Sequence, residues 1–242
     1  MIRRYERQIE MPEIGEGGQR KLSRSSAAVI GAGGLGSPAI YYLAAAGVGH
    51  IDIIDSDTVD ISNLNRQILH FEADIGRYKA VSAAEKLRLF NSETVVTAST
   101  LRVGKENAKD ILRRADIVLC CADNFETRRT VNASCVKLGI PMVDGGVGSF
   151  GGYVLTVIPH ETPCRACVFG DGTELPQRGV IGACAGVVGS LMAAQALKIL
   201  LGLNSSPGLI NIDLIAGMFD SLTAEFDAAC PVCGNQSFRY EK

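Results

Sequence analysis

Short apolar runs and amphipathic stretches alternate along the first 145 residues or so. Ala27–Ile30 is an apolar β-type run that ends in Gly31-Ala32-Gly33-Gly34-Leu35-Gly36. Pro38 follows where a first helical turn tolerates proline, and Ala39–Ala46 predicts a helix stopped by Gly47. His50–Asp55 predicts a second strand, Arg77–Phe90 a helix, Thr94–Thr97 a strand and Lys105–Arg114 a helix. Asp116–Ala122 reads as a buried strand, Glu126–Leu138 as a helix and Ile140–Val143 as a strand. Such alternation implies a mostly parallel, doubly wound α/β sheet of the Rossmann type.

After Gly145 the pattern changes. Tyr153–Ile158 and Leu209–Leu214 predict strands that extend the same sheet, and between them Gly179–Leu197 carries no charge over 19 residues. That length approaches a membrane span. Its four glycines, Ser190 and Gln195, and the Lys198 that follows, fit a buried core helix better. No repeat or low-complexity linker divides the chain, so residues 1–242 are expected to form one domain, with residues 1–24 as an N-terminal helical arm.

Composition narrows the classes. Of 242 residues, 47% are apolar and 21% charged, which excludes a disordered chain. The formal charge of −2 gives nucleic-acid binding no electrostatic footprint. The start MIRRYERQIE does not read as a secretory leader, so a cytoplasmic location is expected and the eight cysteines need a reason other than disulfides. Cys164-x-x-Cys167 and Cys230-x-x-Cys233 have zinc-knuckle spacing and together predict a closed, structural Zn²⁺ site, with a pair of redox dithiols as the alternative. Cys120, Cys121 and Cys135 read as core, and Cys184 as packing or a reactive thiol.

Gly31-x-Gly33-x-x-Gly36 follows a strand and opens a helix, the context in which backbone N–H groups and the helix dipole receive phosphates. Asp55, 19 residues after Gly36 and ending the next strand, suits ribose hydroxyls. This fingerprint serves NAD and ATP alike. The choice of ATP rests on polar residues downstream: Asn63, Arg66 and Lys79 can hydrogen-bond and neutralise a triphosphate, and Asp123 after a buried strand can hold Mg²⁺. A carboxylate approaching a triphosphate needs such cations, because like charges 4 Å apart repel by about 4 kcal/mol at an effective dielectric near 20. Two other readings stay open from these residues: an NAD-dependent oxidoreductase and an ATP-binding scaffold without catalysis.

Arg4-Tyr5-Glu6-Arg7-Gln8, Leu35-Gly36-Ser37-Pro38, Asp55-x-Asp57, Asn63-x-x-Arg66-Gln67, Lys79, Ala122-Asp123-Asn124 and the two cysteine pairs stand in order between residues 4 and 233. In these stretches the chain resembles the MoeB/ThiF/HesA adenylyltransferases of the ubiquitin-activating-enzyme-like superfamily. The resemblance implies adenylation of the C-terminal Gly-Gly carboxylate of a small ubiquitin-like sulfur-carrier protein, with release of pyrophosphate. It assigns Gly34, Asp55, Asn63, Arg66, Lys79 and Asp123 to the ATP site, with Asp57 and Asn124 beside them. It further implies a homodimer in which Arg7 reaches the neighbouring subunit's site. Several members carry a cysteine four residues ahead of the glycine matching Gly179; here that position is Leu175, so the resemblance does not extend to thioester or acyl-disulfide chemistry.

Overall fold

The computed structural model describes residues 2–170, 179–203 and 208–234. Eight strands, β1 (Ser26–Ile30), β2 (His50–Ile54), β3 (Val95–Ser99), β4 (Ile117–Cys120), β5 (Met142–Gly148), β6 (Gly151–Val157), β7 (Gly208–Asp213) and β8 (Met218–Leu222), form one sheet in the order β3-β2-β1-β4-β5-β6-β7-β8. The first five pair in parallel, and β6 to β8 extend the sheet antiparallel. From β1 the chain winds outward to β2 and β3, then returns to place β4 on the other flank of β1. A crevice therefore opens beyond the C-terminal ends of β1 and β4, where doubly wound sheets take their ligands.

Period-two alternation divides each buried strand between two cores. Ala27, Val29, Ile51, Ile53, Ile117 and Leu119 face α3 (Gly36–Ala45), α4 (Lys79–Phe90) and α8 (Gly182–Leu201). Ala28, Ile30, Ile54, Val118 and Cys120 face α5 (Ala108–Leu112), α6 (Phe125–Leu138) and α7 (Arg165–Phe169), together with Cys164, Cys230 and Cys233. The N-terminal segment forms α1 (Ile2–Ile9) and α2 (Gly15–Leu22). On α1, Tyr5 and Gln8 face inward. Tyr5 is buried against Gly47, its hydroxyl accepting from Asn91 Nδ2 at 2.9 Å, and Gln8 Nε2 donates to the Ala46 carbonyl at 2.8 Å.

The uncharged segment forms the 20-residue α8, long and apolar enough to cross a membrane. It is instead a core helix: Cys184, Val188, Met192, Ala193 and Ala196 are fully enclosed, and it packs on α3, β5 and β6. Close approach depends on Gly189, where a Cβ would strike the Leu35 carbonyl, and on Gly182, where it would strike the Asn65 carbonyl.

Four elements differ from the sequence pattern. The helix expected over Lys105–Arg114 is confined to Ala108–Leu112, because Asn107 Oδ1 accepts from the Gly104 N–H at 2.9 Å and holds the preceding residues in a turn. β5 does not stop at Val143 but runs through Gly145 and Gly146, whose missing side chains leave room for Met192 and Tyr153. β8 and α7 carry no periodic signal strong enough to predict them. β8 is an edge strand exposed along most of its length, and α7 is a single short helix that starts after Cys164 and contains Cys167.

Candidate active site at the strand switch point

β1 delivers its last residue into a turn that glycine alone permits. Gly31 has φ +101°, and a Cβ there would lie 2.8 Å from the Cys121 carbonyl of the loop after β4. At Gly36 a Cβ would run into the Gly31 carbonyl. The turns after β1 and β4 are thus in contact, and the N-terminus of α3 opens into the crevice between them.

Asp55, at the end of β2, secures this turn. Its Oδ2 accepts from the Ala32 N–H at 2.7 Å and its Oδ1 from the Asp57 N–H at 2.8 Å. Burial raises its pKa above the usual aspartate range; the two amide bonds and Lys79 offset part of that shift. Asp57 carries the next link: its carbonyl accepts from the Lys79 N–H at 2.9 Å, and its Oδ2 lies 3.0 Å from Lys79 Nζ. The Lys79 side chain is buried up to its ammonium while Asp57 is open to solvent, so a lysine charge is held ready at the crevice.

Between β2 and α4 the chain folds over the glycine turn. A capping box of Asp60 and Asn63 closes one turn of 3-10 helix, Ile61–Asn63, with the Asp60 N–H donating to Asn63 Oδ1 at 3.2 Å. Arg66 Nη1 donates to the Ser62 carbonyl at 2.8 Å and to Asn65 Oδ1 at 3.1 Å. Its Cγ lies 3.6 Å from the place of a Cβ on Gly34, and Ala185 of α8 lies 3.3 Å from the same point. Gly31, Gly33, Gly34, Gly36, Asp55, Asp57, Asn63, Arg66 and Lys79 are therefore gathered around one turn. Asp123 is exposed just past β4, on the adjoining loop; Asn124 caps α6, its Oδ1 accepting from the Thr127 N–H at 2.9 Å.

Arg7 is not brought to this site in its own chain. It is largely exposed on α1, paired with Glu10 at 3.1 Å. Its neighbour Tyr5 packs at Gly47, beyond the far end of α3, a helix of 10 residues and thus about 15 Å long.

The four knuckle cysteines converge from positions 66 residues apart. Their Sγ atoms all lie within 4.8 Å of one another, with contacts of 3.9, 3.6 and 3.3 Å. A tetrahedron with metal–sulfur bonds of about 2.3 Å has edges of about 3.8 Å, so the donor set fits a zinc-sized ion. Cys120, Cys121 and Cys135 are core residues, and burial pushes the Cys120 thiol up to about 12. Cys184 is enclosed as well: its Sγ donates to the Gly151 carbonyl at 3.3 Å, and burial raises its pKa. It stands as a packing residue, closed off from solvent. Alkylation of the native protein by iodoacetamide should leave Cys184 unlabelled until denaturant is added, and rapid native labelling in peptide mapping would contradict this. Leu175 lies outside the described residues, within 171–178; Phe169 and Gly170 close α7.

Two groups of residues had no signature in the sequence. Asp144 on β5 is fully buried and accepts from Arg128 Nη1 at 2.5 Å, from Arg165 Nε at 3.1 Å and from the Tyr153 hydroxyl at 2.9 Å. This network ties α6, whose first turn follows Asp123, to the first residue of α7, next to Cys164. The other is His70, buried beneath the glycine turn with a partner on each ring nitrogen.

With the geometry in place, comparison with known proteins is decisive. The profile of the ThiF family matches residues 5–232. The chain belongs to the ThiF family. Among curated ThiF relatives, the sulfur carrier protein adenylyltransferase of Thermus thermophilus is 41% identical, over 98% of this chain and 93% of that protein. The sulfur carrier protein ThiS adenylyltransferase of Escherichia coli is 40% identical, over 97% of this chain and 96% of that one. Among solved structures, E. coli MccB with ATP superposes with a TM-score of 0.84 at 26% identity, covering 96% of this chain and 75% of MccB. The doubly wound fold and the family expected from the sequence are both those observed.

Proposed function

We propose that this ThiF-family chain is an ATP-dependent adenylyltransferase that activates the C-terminal Gly-Gly carboxylate of a small ubiquitin-like sulfur-carrier protein. The observation that carries the reading is the gathering of Asp55, Arg66 and Lys79 around one glycine turn at the sheet's switch point, in a chain whose full-length relatives are named sulfur carrier protein adenylyltransferases.

The chemistry needs little from general acids or bases. The carrier's carboxylate is already ionised near neutral pH, and one of its oxygens attacks the α-phosphorus of ATP. The new O–P bond forms as the bond to the β-phosphate's bridging oxygen breaks, leaving acyl-adenylate and pyrophosphate. Catalysis is then positioning and charge neutralisation. The α3 N-terminus and Gly31, Gly33, Gly34 and Gly36 receive the phosphates, and Asp55 takes the ribose hydroxyls. Arg66 and Lys79 neutralise the leaving pyrophosphate, with Asn63 donating a hydrogen bond and Asp57 holding Lys79 in wait. Asp123, with Asn124 beside it, holds Mg²⁺, which supplies further charge neutralisation when bound.

Arg7 acts in trans. Its separation from its own site supports this, as does the exposed apolar series Ile61, Ile68, Phe71, Ile75 and Tyr78 between Asp60 and Lys79, which a second copy would cover. The four cysteines hold a structural Zn²⁺, residues 1–242 serve as one adenylation domain, and the enzyme works in the cytoplasm.

ATP–pyrophosphate exchange tests the reading. Exchange should appear only with Mg²⁺ and a Gly-Gly-ending ubiquitin-like protein, and should vanish when the terminal glycine is deleted. Absence of exchange with every such protein of the source organism would sink the proposal.

A further inference from the structure

His70 lies under the glycine turn and takes no part in the proposed adenylation. It is buried, and its Nε2 is 2.9 Å from the Ala32 carbonyl oxygen while its Nδ1 is 3.0 Å from Ser82 Oγ on α4. A carbonyl only accepts, so Nε2 carries the proton and Nδ1 accepts from the Ser82 hydroxyl. The Ser82 oxygen in turn accepts from Lys86 Nζ at 2.7 Å, and Lys86 is paired with Asp74. Every link in this chain has one sense of donation, running from a buried ion pair to the turn. Burial, with Lys86 and Lys79 nearby, lowers the His70 pKa; its bond to Ala32 and the carboxylate of Asp74 pull the other way without reversing the shift. The ring stays neutral, one donor and one acceptor.

Ala32 is thereby held on both sides: its N–H by Asp55 and its C=O by His70. Asp55 stands where ribose hydroxyls are expected, so His70 is the side-chain anchor of Ala32 that the nucleotide does not engage. We propose that His70 is a positioning residue that, through the Ala32 carbonyl, holds the amides of Gly33–Gly36 in their nucleotide-receiving orientation. The inference rests on the nucleotide-binding part of the proposed function but not on the identity of the acyl acceptor.

The test is ATP affinity by titration calorimetry together with ¹⁵N NMR of the His70 ring in the full chain. His70→Leu, which keeps bulk and removes both hydrogen bonds, should weaken ATP binding by about tenfold, the scale on which a lost buried hydrogen bond is felt. His70→Gln, which keeps an N–H of similar reach, should recover most of that loss, and Ser82→Ala should fall between them. The wild-type ring should show the Nε2–H tautomer. Equal ATP affinity in all four proteins, equal loss in the Leu and Gln variants, or an Nδ1–H tautomer would each overturn the proposal. The tautomer needs no mutant, so a poorly folding variant does not shield the proposal. A wild-type chain that binds ATP but never exchanges pyrophosphate would remove the proposed reaction and leave this inference standing.

Discussion

Arg66→Ala should lower ATP–pyrophosphate exchange by about 10²- to 10³-fold, the cost of removing one preorganised donor from a site where charge develops. The expectation follows from where the side chain stands. Arg66 arches over Gly34, and among the described residues its side chain donates to the Ser62 carbonyl and Asn65 within the same short segment. Those local contacts contribute little to the fold, so the melting temperature should stay within what about 0.5 kcal/mol produces. Arg66→Lys should restore part of the rate: it returns the charge but not the planar fork that binds two phosphate oxygens at once. Exchange and thermal denaturation on the same preparations decide the matter. Retained activity in Arg66→Ala would remove this residue from the phosphate-neutralising role.

Asp144→Ala should destabilise the protein by about 3–5 kcal/mol, the usual result of leaving buried charge without its partner. Here two guanidinium groups would be stranded. Burial alone would depress the Arg128 pKa, and Asp144 beside it more than reverses that; Arg165 shares the same carboxylate while its guanidinium lies 4.5 Å from the centre of the Phe125 ring. At roughly 2–4 °C per kcal/mol for a chain of this size, the melting temperature should drop by about 6–20 °C. Asp144→Asn should lose most of the same stability, since it preserves shape but not charge. A shift below about 2 °C in either variant would show that the arginines find other partners. Because the network joins α6 to the cysteine loop, the loss should be accompanied by earlier release of any bound zinc on heating.

Much of the fold was legible because parallel strands buried on both faces are short apolar runs, and the helices between them are punctuated by Pro38, Gly47 and Gly139. The failures are local and physical. Glycines in β5 look like a stop, yet in an antiparallel pair with β6 they are the positions that let Met192 and Tyr153 lie against the sheet. β8 gains its regularity from pairing with β7 rather than from a buried face of its own, so no alternation announces it. The site residues were legible to the extent that function places them just after strands: the glycine turn, Asp55 and Asp123 each follow one. His70 and Asp144 carry no such mark, because a lone histidine or aspartate takes its meaning from partners 9 to 38 residues away.

By itself, then, the sequence determined most of the strands and helices, that a glycine-rich turn stands at the first β–α junction, and that two cysteine pairs have the spacing of a metal site. All of these are written in periodicities and spacings of a few residues. Only the tertiary structure decided that the uncharged segment is a core helix rather than a membrane span, that Cys184 is enclosed, that the two cysteine pairs meet, that His70 lies beneath the glycine turn and that Asp144 joins α6 to α7. Those outcomes depend on which distant surfaces come into contact. Burial, which changes the charge, reactivity and hydrogen bonding of a side chain, is a property of the assembled layers and of no short stretch of chain.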